Sequence, residues 1–224
     1  MTDKKMIVPI FSSPDVVLFP KTPLPLYIFE ERYRAMVRDV IAGTGNLVIA
    51  LSRPPGGESG HEGTSAVYET ACLSRIENCE KLENGKYNIV VVGVHRVKII
   101  REVQKFPYPM VEVKPIADPE CGEMTESLME RHDNLCKLFT RFTELATGAD
   151  THAMELMPQL DFESLINIVA MTLNLEVEQK QALLEMNELY QRCDALLPVL
   201  QQQVETLDLV QRFEHIRPEN PNFN

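Results

Sequence analysis

VLFPKTPLPLYIFEERYRAMVRDVIAG, residues Val17 to Gly43, packs three prolines into six residues and then enters an amphipathic helix without a spacer. Pro20, Pro23 and Pro25 fix φ and remove three backbone donors, so they exclude a central strand. Leu24, Leu26, Ile28 and Phe29 are apolar and sit beside them. The stretch therefore reads as a stiff, packed, irregular connector. The helix that follows begins near Phe29 or Glu30 and stops at Gly43. Phe29, Tyr33, Met36, Val37, Val40 and Ile41 recur at helical spacing and form its expected buried face.

Working outward, the first half has the period of strands. Ile7–Phe11 and Asn46–Leu51 are short apolar runs. The longer runs Glu69–Asn78 and Tyr87–Ile100 flank CEKLENGK, whose Asn84-Gly85 pair signals a hairpin. Gly93 interrupts the second long run and predicts a bulge or bend. Tyr108–Ile116 closes the β region. Curved strands with one early helix fit a small, partly closed barrel better than an open parallel sheet. RPPGGESGHEGTS, from Arg53 to Ser65, reads as a mobile surface loop. It lacks the lysine that a phosphate-cradling P-loop requires.

The second half has the period of helices. Leu128, Leu135, Leu138, Phe139, Phe142 and Leu145 share one stripe that Gly148 ends. Asp161 is placed to cap a helix carrying Phe162, Leu165, Ile166, Val169 and Ala170. Glu176–Met186 makes a third helix, and Glu188 to about Phe213 a last one with Leu189, Cys193, Leu196, Leu200, Val204 and Leu207 inward. The expected fold is α+β: a β-rich pseudo-barrel over 1–117, a helical bundle over 118–213 and a disordered tail over 214–224.

Charge narrows the partners. The net charge is −11, yet residues up to 115 hold 15 basic and 13 acidic side chains, so the deficit lies in the helical half. That half would repel a phosphate backbone, and no basic stripe appears elsewhere; nucleic acid is not an expected partner. No apolar run approaches membrane-spanning length, so no membrane partner is expected and the cytoplasm is the expected location. The five cysteines form no CxxC pair and read as reduced thiols. The histidines have no metal-ligand spacing, no nucleophile elbow exists, and Cys136 reads as lying next to the apolar stripe with His132 outside it, rather than as a thiolate pair. No catalytic, cofactor-binding or metal-binding residue is nominated. Glu30, at the helix start, is expected to bond an arginine of the barrel, Arg75 or Arg96, and so lock the connector to the sheet.

LFPKTPLPLYIFEERYRAMV, followed by LSRIENCEKLENGKYNIVVVGVHRVKII and LNLEVEQKQALLEMNELYQRCDALLPVL, resembles the N-terminal, substrate-binding domain of Lon proteases in its stand-alone bacterial form. The likeness covers roughly residues 7–212. It implies a PUA-like pseudo-barrel with a helical continuation and no ATPase or peptidase domain. Pro20, Pro25, Phe29, Glu30 and Tyr33 match the family's most characteristic motif, and Arg75, Tyr87, Gly93 and Arg96 match barrel positions. The implied function is non-enzymatic binding of unfolded or native polypeptide, as an adaptor or regulator in proteolysis or protein quality control. A small-molecule or nucleotide-binding regulator and an unrecognised enzyme are the alternatives. Leu209, Val210 and Phe213 extend the last apolar stripe and raise a homodimer through the C-terminal helix as a separate reading.

Overall fold

The computed structural model describes residues 5–54, 67–117, 125–148 and 159–213. The expected tail over 214–224 and nearly all of the expected loop over 53–65 lie outside them. Six strands are present: β1 (Met6–Ser13), β2 (Pro23–Ile28), β3 (Asn46–Leu51), β4 (Thr70–Lys81), β5 (Tyr87–Gln104) and β6 (Met110–Pro115). Five helices accompany them among the described residues: α1 (Glu31–Ala42), α2 (Glu126–Thr147), α3 (Phe162–Thr172), α4 (Val177–Glu185) and α5 (Leu189–Phe213). The described residues divide into two compact units, one up to residue 117 together with 170–187, the other built from the rest. The helical half thus contributes residues 170–187 to the barrel unit.

In the barrel unit the strand order is β2-β5-β4-β3-β1-β6, and β6 pairs back onto β5. Five strands therefore close into a ring, while β2 lies outside it along the first half of β5. Only an 18-residue strand can serve both neighbours, and β5 does so by bending. Its ladder with β4 skips Val94 immediately after Gly93, and skips Glu77 on β4. These are bulges, which increase local twist and turn the strand. The bend expected from Gly93 is therefore real.

The connector needs correcting. Residues 23–28 are not irregular but form β2, antiparallel to β5 from Pro23↔Val92 to Ile28↔Tyr87. The prolines are compatible because β2 is an edge strand. Pro23 and Pro25 stand two apart, so both missing donors fall on the side away from β5. Side chains alternate as well: Leu24, Leu26 and Ile28 turn inward, Pro23, Pro25 and Tyr27 outward. Ahead of β2, the chain crosses β5 at Gly93. Lys21 N–H donates to Gly93 O at 2.8 Å and Gly93 N–H to Thr22 O at 3.0 Å. Lys21 adopts φ 61°, and the buried Thr22 hydroxyl donates to Phe19 O at 2.7 Å, holding the turn.

Two apolar clusters fill this unit. Tyr33, Met36, Val37 and Val40 of α1 pack with Leu18, Ile28, Leu47, Ile49 and Val91. Val8, Ile10, Val48, Ala71, Val97, Ile99, Val111 and Val113 form the other. Each fully buried aliphatic side chain contributes about 1.5–3 kcal/mol of transfer free energy. Two members of the expected α1 face do not belong: Phe29 precedes the helix and Ile41 points to solvent, and both are exposed.

In the helical unit, Thr125 caps α2 and Gly148 ends it in the left-handed region at φ 65°. Asp161 caps α3, accepting Ser164 N–H at 3.0 Å. Arg131 grips Asp194 through two bonds of 2.8 and 3.1 Å, and Arg141 reaches Asp208 at 2.8 Å, so two ion pairs link α2 to α5.

Candidate functional site

Pairing β2, β5 and β4 in this register sets their outward side chains in rows. Tyr27, Asn88 and Glu80 form one row, Pro25, Val90 and Asn78 the next, and Pro23, Val92 and Arg75 the third. Directly opposed residues share a sheet face. Here the face is apolar along β2 and at Val90 and Val92 of β5, and polar at Asn88 and along β4. Tyr27 is 49% exposed and Phe29, just past the strand, 58%. Their rings lie 6.1 Å apart, centroid to centroid. Lys86 stands over the Tyr27 ring with Nζ 5.3 Å from its centroid.

Between the first two rows the surface is concave. A groove of about 440 Å³ is lined by Pro25, Leu26, Tyr27, Asn78, Glu80 and Asn88, with Ile89 and Val90 completing it. Asn88 Nδ2 donates to Glu80 Oε2 at 3.2 Å. The aromatic and proline surfaces are presented rigidly, because the alternate residues of the same strands are anchored in the core.

The residues singled out in the sequence separate into two groups. Pro20, Tyr33, Tyr87 and Arg96 are buried. Pro20 bridges to Gly93, and Tyr33 Oη donates to Ser12 O at 3.2 Å. Pro25, Phe29 and Arg75 are exposed, and Pro25 and Arg75 lie on the same sheet face. The expected bond from Glu30 to a barrel arginine is not formed. Glu30 is the N-cap residue of α1 and accepts from its neighbour Arg32 Nε at 2.9 Å.

Arg96 has a different task. Its guanidinium is 0% exposed and donates through Nη1 to Leu184 O at 3.0 Å and Met186 O at 2.8 Å. These carbonyls sit at the C-terminal end of α4, where helical acceptors lack intrahelical donors and a cation is favoured. Gln181 Nε2 donates to Thr70 O at 3.0 Å, tying the same helix to β4. Tyr27, Val90, Asn78, Glu80 and Asn88 escaped the sequence reading. Alternation in PLPLYIF pointed to Tyr27, but the other four required the strand register.

Reactive groups are poorly placed for chemistry. His132 proves to be on the buried face of α2, a correction to its expected place outside the stripe. Its Nε2 lies 3.1 Å from Leu160 O, and Cys136 Sγ is 3.9 Å from Nδ1. Burial, reinforced by Asp133, pushes the Cys136 thiol up. Burial pushes Cys193 up to about 12. Both favour the inert thiol over the thiolate. Among the described residues no group of three or more His, Cys, Asp or Glu side chains is placed to hold a metal ion. No helix among them is long and apolar enough to cross a membrane.

The arrangement is that of an α+β domain offering an apolar sheet face. A family model described as the ATP-dependent protease La (LON) substrate-binding domain matches residues 7–202, and the chain belongs to that family. It is 26% identical over 213 residues to Lon protease 2 of Myxococcus xanthus, covering 95% of this chain and 25% of that protein. It is 27% identical over 203 residues to Lon protease 2 of Herpetosiphon aurantiacus, covering 90% and 24%. The chain thus spans about a quarter of the length of the curated relatives it matches. Among solved structures, the N-terminal domain of Mycobacterium avium complex Lon protease superposes with a TM-score of 0.69 at 19% identity, over 88% of this chain and 98% of that one. A Lon N-terminal domain protein from Xanthomonas campestris gives 0.61 at 21%, over 86% and 98%. The fold is the same; membership of the family rests on the sequence model.

Proposed function

We propose that the chain is a non-enzymatic polypeptide-binding module serving proteolysis or protein quality control as an adaptor or regulator, and that the outer face of the β2–β5 ladder holds the polypeptide. One observation carries this reading: Tyr27, on a strand whose alternate residues are fixed in the core, and Phe29, just past its end, are exposed side by side. Contiguous exposed apolar surface marks interaction sites, and the family description names substrate binding. Tyr and Phe supply large contact area with little side-chain entropy to lose.

The small-molecule reading has less support. Arg96 is engaged with main-chain carbonyls, and Arg75 lies on an open face outside the groove. The experiment is titration of a labelled, permanently unfolded protein into the full chain and into Tyr27→Ser/Phe29→Ser. Saturable binding that weakens about tenfold or more in the variant, with unchanged thermal unfolding, is the expected result; equal binding by both would overturn the assignment of the face.

A further inference from the structure

The groove combines apolar walls with a single charged liner. Glu80 is exposed, and Asn88 Nδ2 engages one of its oxygens, while no cation among the described residues forms an ion pair with it. Pro25, Tyr27 and Val90 lie on the other side of the same concavity. The neighbouring charges are Lys81, next to Glu80 on β4 and turned by the strand alternation to the other face, Lys86, held over the Tyr27 ring, the exposed bulge residue Glu77, and Arg75. Arg75 is two ladder rows away, about 13 Å along the strand, and its Nε faces Asn46 Oδ1 at 3.5 Å.

We infer that the occupant of this face is an extended polypeptide segment in which a lysine or arginine stands two positions from an aromatic or large aliphatic residue. The cation meets Glu80, and the apolar side chain lies over Pro25, Tyr27 and Val90. This rests on the polypeptide-binding reading and specifies its substrate class. The distances fit: on one face of an extended segment side chains recur every second residue, about 7 Å apart, which matches the step from the Glu80 row to the Pro25–Val90 row. An ion pair at an exposed carboxylate is weak, so selection takes the form of a preference of about two- to fivefold over a neutral analogue at low salt.

The test uses three fluorescent peptides of one aromatic-aliphatic sequence that differ at one position, Lys, Gln or Glu, titrated into the full chain and into Glu80→Gln, Glu80→Lys and Tyr27→Ala. The expected order is Lys tightest and Glu weakest, compressed in Glu80→Gln and reversed in Glu80→Lys, with all three weakened in Tyr27→Ala. Equal affinity for the three peptides, or a lysine preference that survives Glu80→Gln, would overturn the inference. If such equal binding still weakens in Tyr27→Ala, the face stands as the binding site without charge selection. Binding of no peptide overturns both.

Discussion

Gly93 and Phe19 are in contact through bare backbone: a Cβ built on Gly93 would lie 2.1 Å from the Phe19 carbonyl oxygen and 3.0 Å from Cys72 Sγ. The nearest obstacle is main chain, held by the paired bonds between Gly93 and residues 21 and 22, so it cannot swing aside. Gly93→Ala is therefore expected to destabilise the fold by about 3 kcal/mol, at the upper end for overpacking. Denaturant unfolding checks this. A loss well below 1 kcal/mol would mean that the crossing is looser than described.

Arg96 connects β5 to the end of α4. Replacing it with Met removes two charge-assisted bonds and strands acceptors at a helix terminus, an expected loss of about 2–4 kcal/mol. The more specific readout is hydrogen exchange, which should accelerate over residues 177–186 before the strands respond. Arg96→Lys should rescue only in part, because an ammonium lacks the planar fork. Unchanged exchange over α4 in Arg96→Met would contradict this role.

The expected anchor at Glu30 fails for a reason that single-sequence reading could not supply. Its place at a helix start follows from local sequence, but its partner depends on how α1 leaves β2. Glu30→Gln is accordingly expected to leave the melting temperature unchanged, since the pair with Arg32 is exposed. Asp161→Ala offers the contrast: it removes a cap that bonds both the backbone and the hydroxyl of Ser164, and should cost about 1 kcal/mol.

Cys193 provides a pH signature. Its thiol titrates at about 12 in the folded chain against an ordinary value of 9.0, chiefly through burial. A raised folded value means the native state holds its proton longer than the unfolded state. The stabilisation is complete below pH 9 and is lost as pH climbs from 9 toward 12. Unfolding free energy should fall on that alkaline limb and fall less steeply in Cys193→Ala. Tyr108, raised by burial and its bond to Asp39, contributes with the same sign from about pH 10 upward. A flat alkaline limb would refute the assignment.

Much of the fold was legible because it is written in local periods. Asn84-Gly85 announced the β4–β5 hairpin, Gly148 the end of α2, and Gly93 the bend. The status of residues 23–28 was not legible, since proline excludes a central strand but says nothing of an edge. Edge or connector is decided by β5, whose paired residues lie 59 to 69 positions away in sequence. The same non-local cause hid Glu80 and Asn88, which become neighbours of Tyr27 only through register. It also hid the placement of residues 170–187, which share a helical period with the bundle but are held by Gln181 and Arg96.

Pro23 and Pro25 have a consequence for what this surface cannot become. An edge strand normally offers a row of amide donors on which a foreign extended chain can crystallise as the next strand, the first step of aggregation. At two consecutive outward positions the donors of β2 are missing, so its rim presents carbonyls without their complements. Whatever an unfolded chain does on the neighbouring face, it gains no continuous backbone ladder from this rim. The rim is thereby a poor template for a growing sheet.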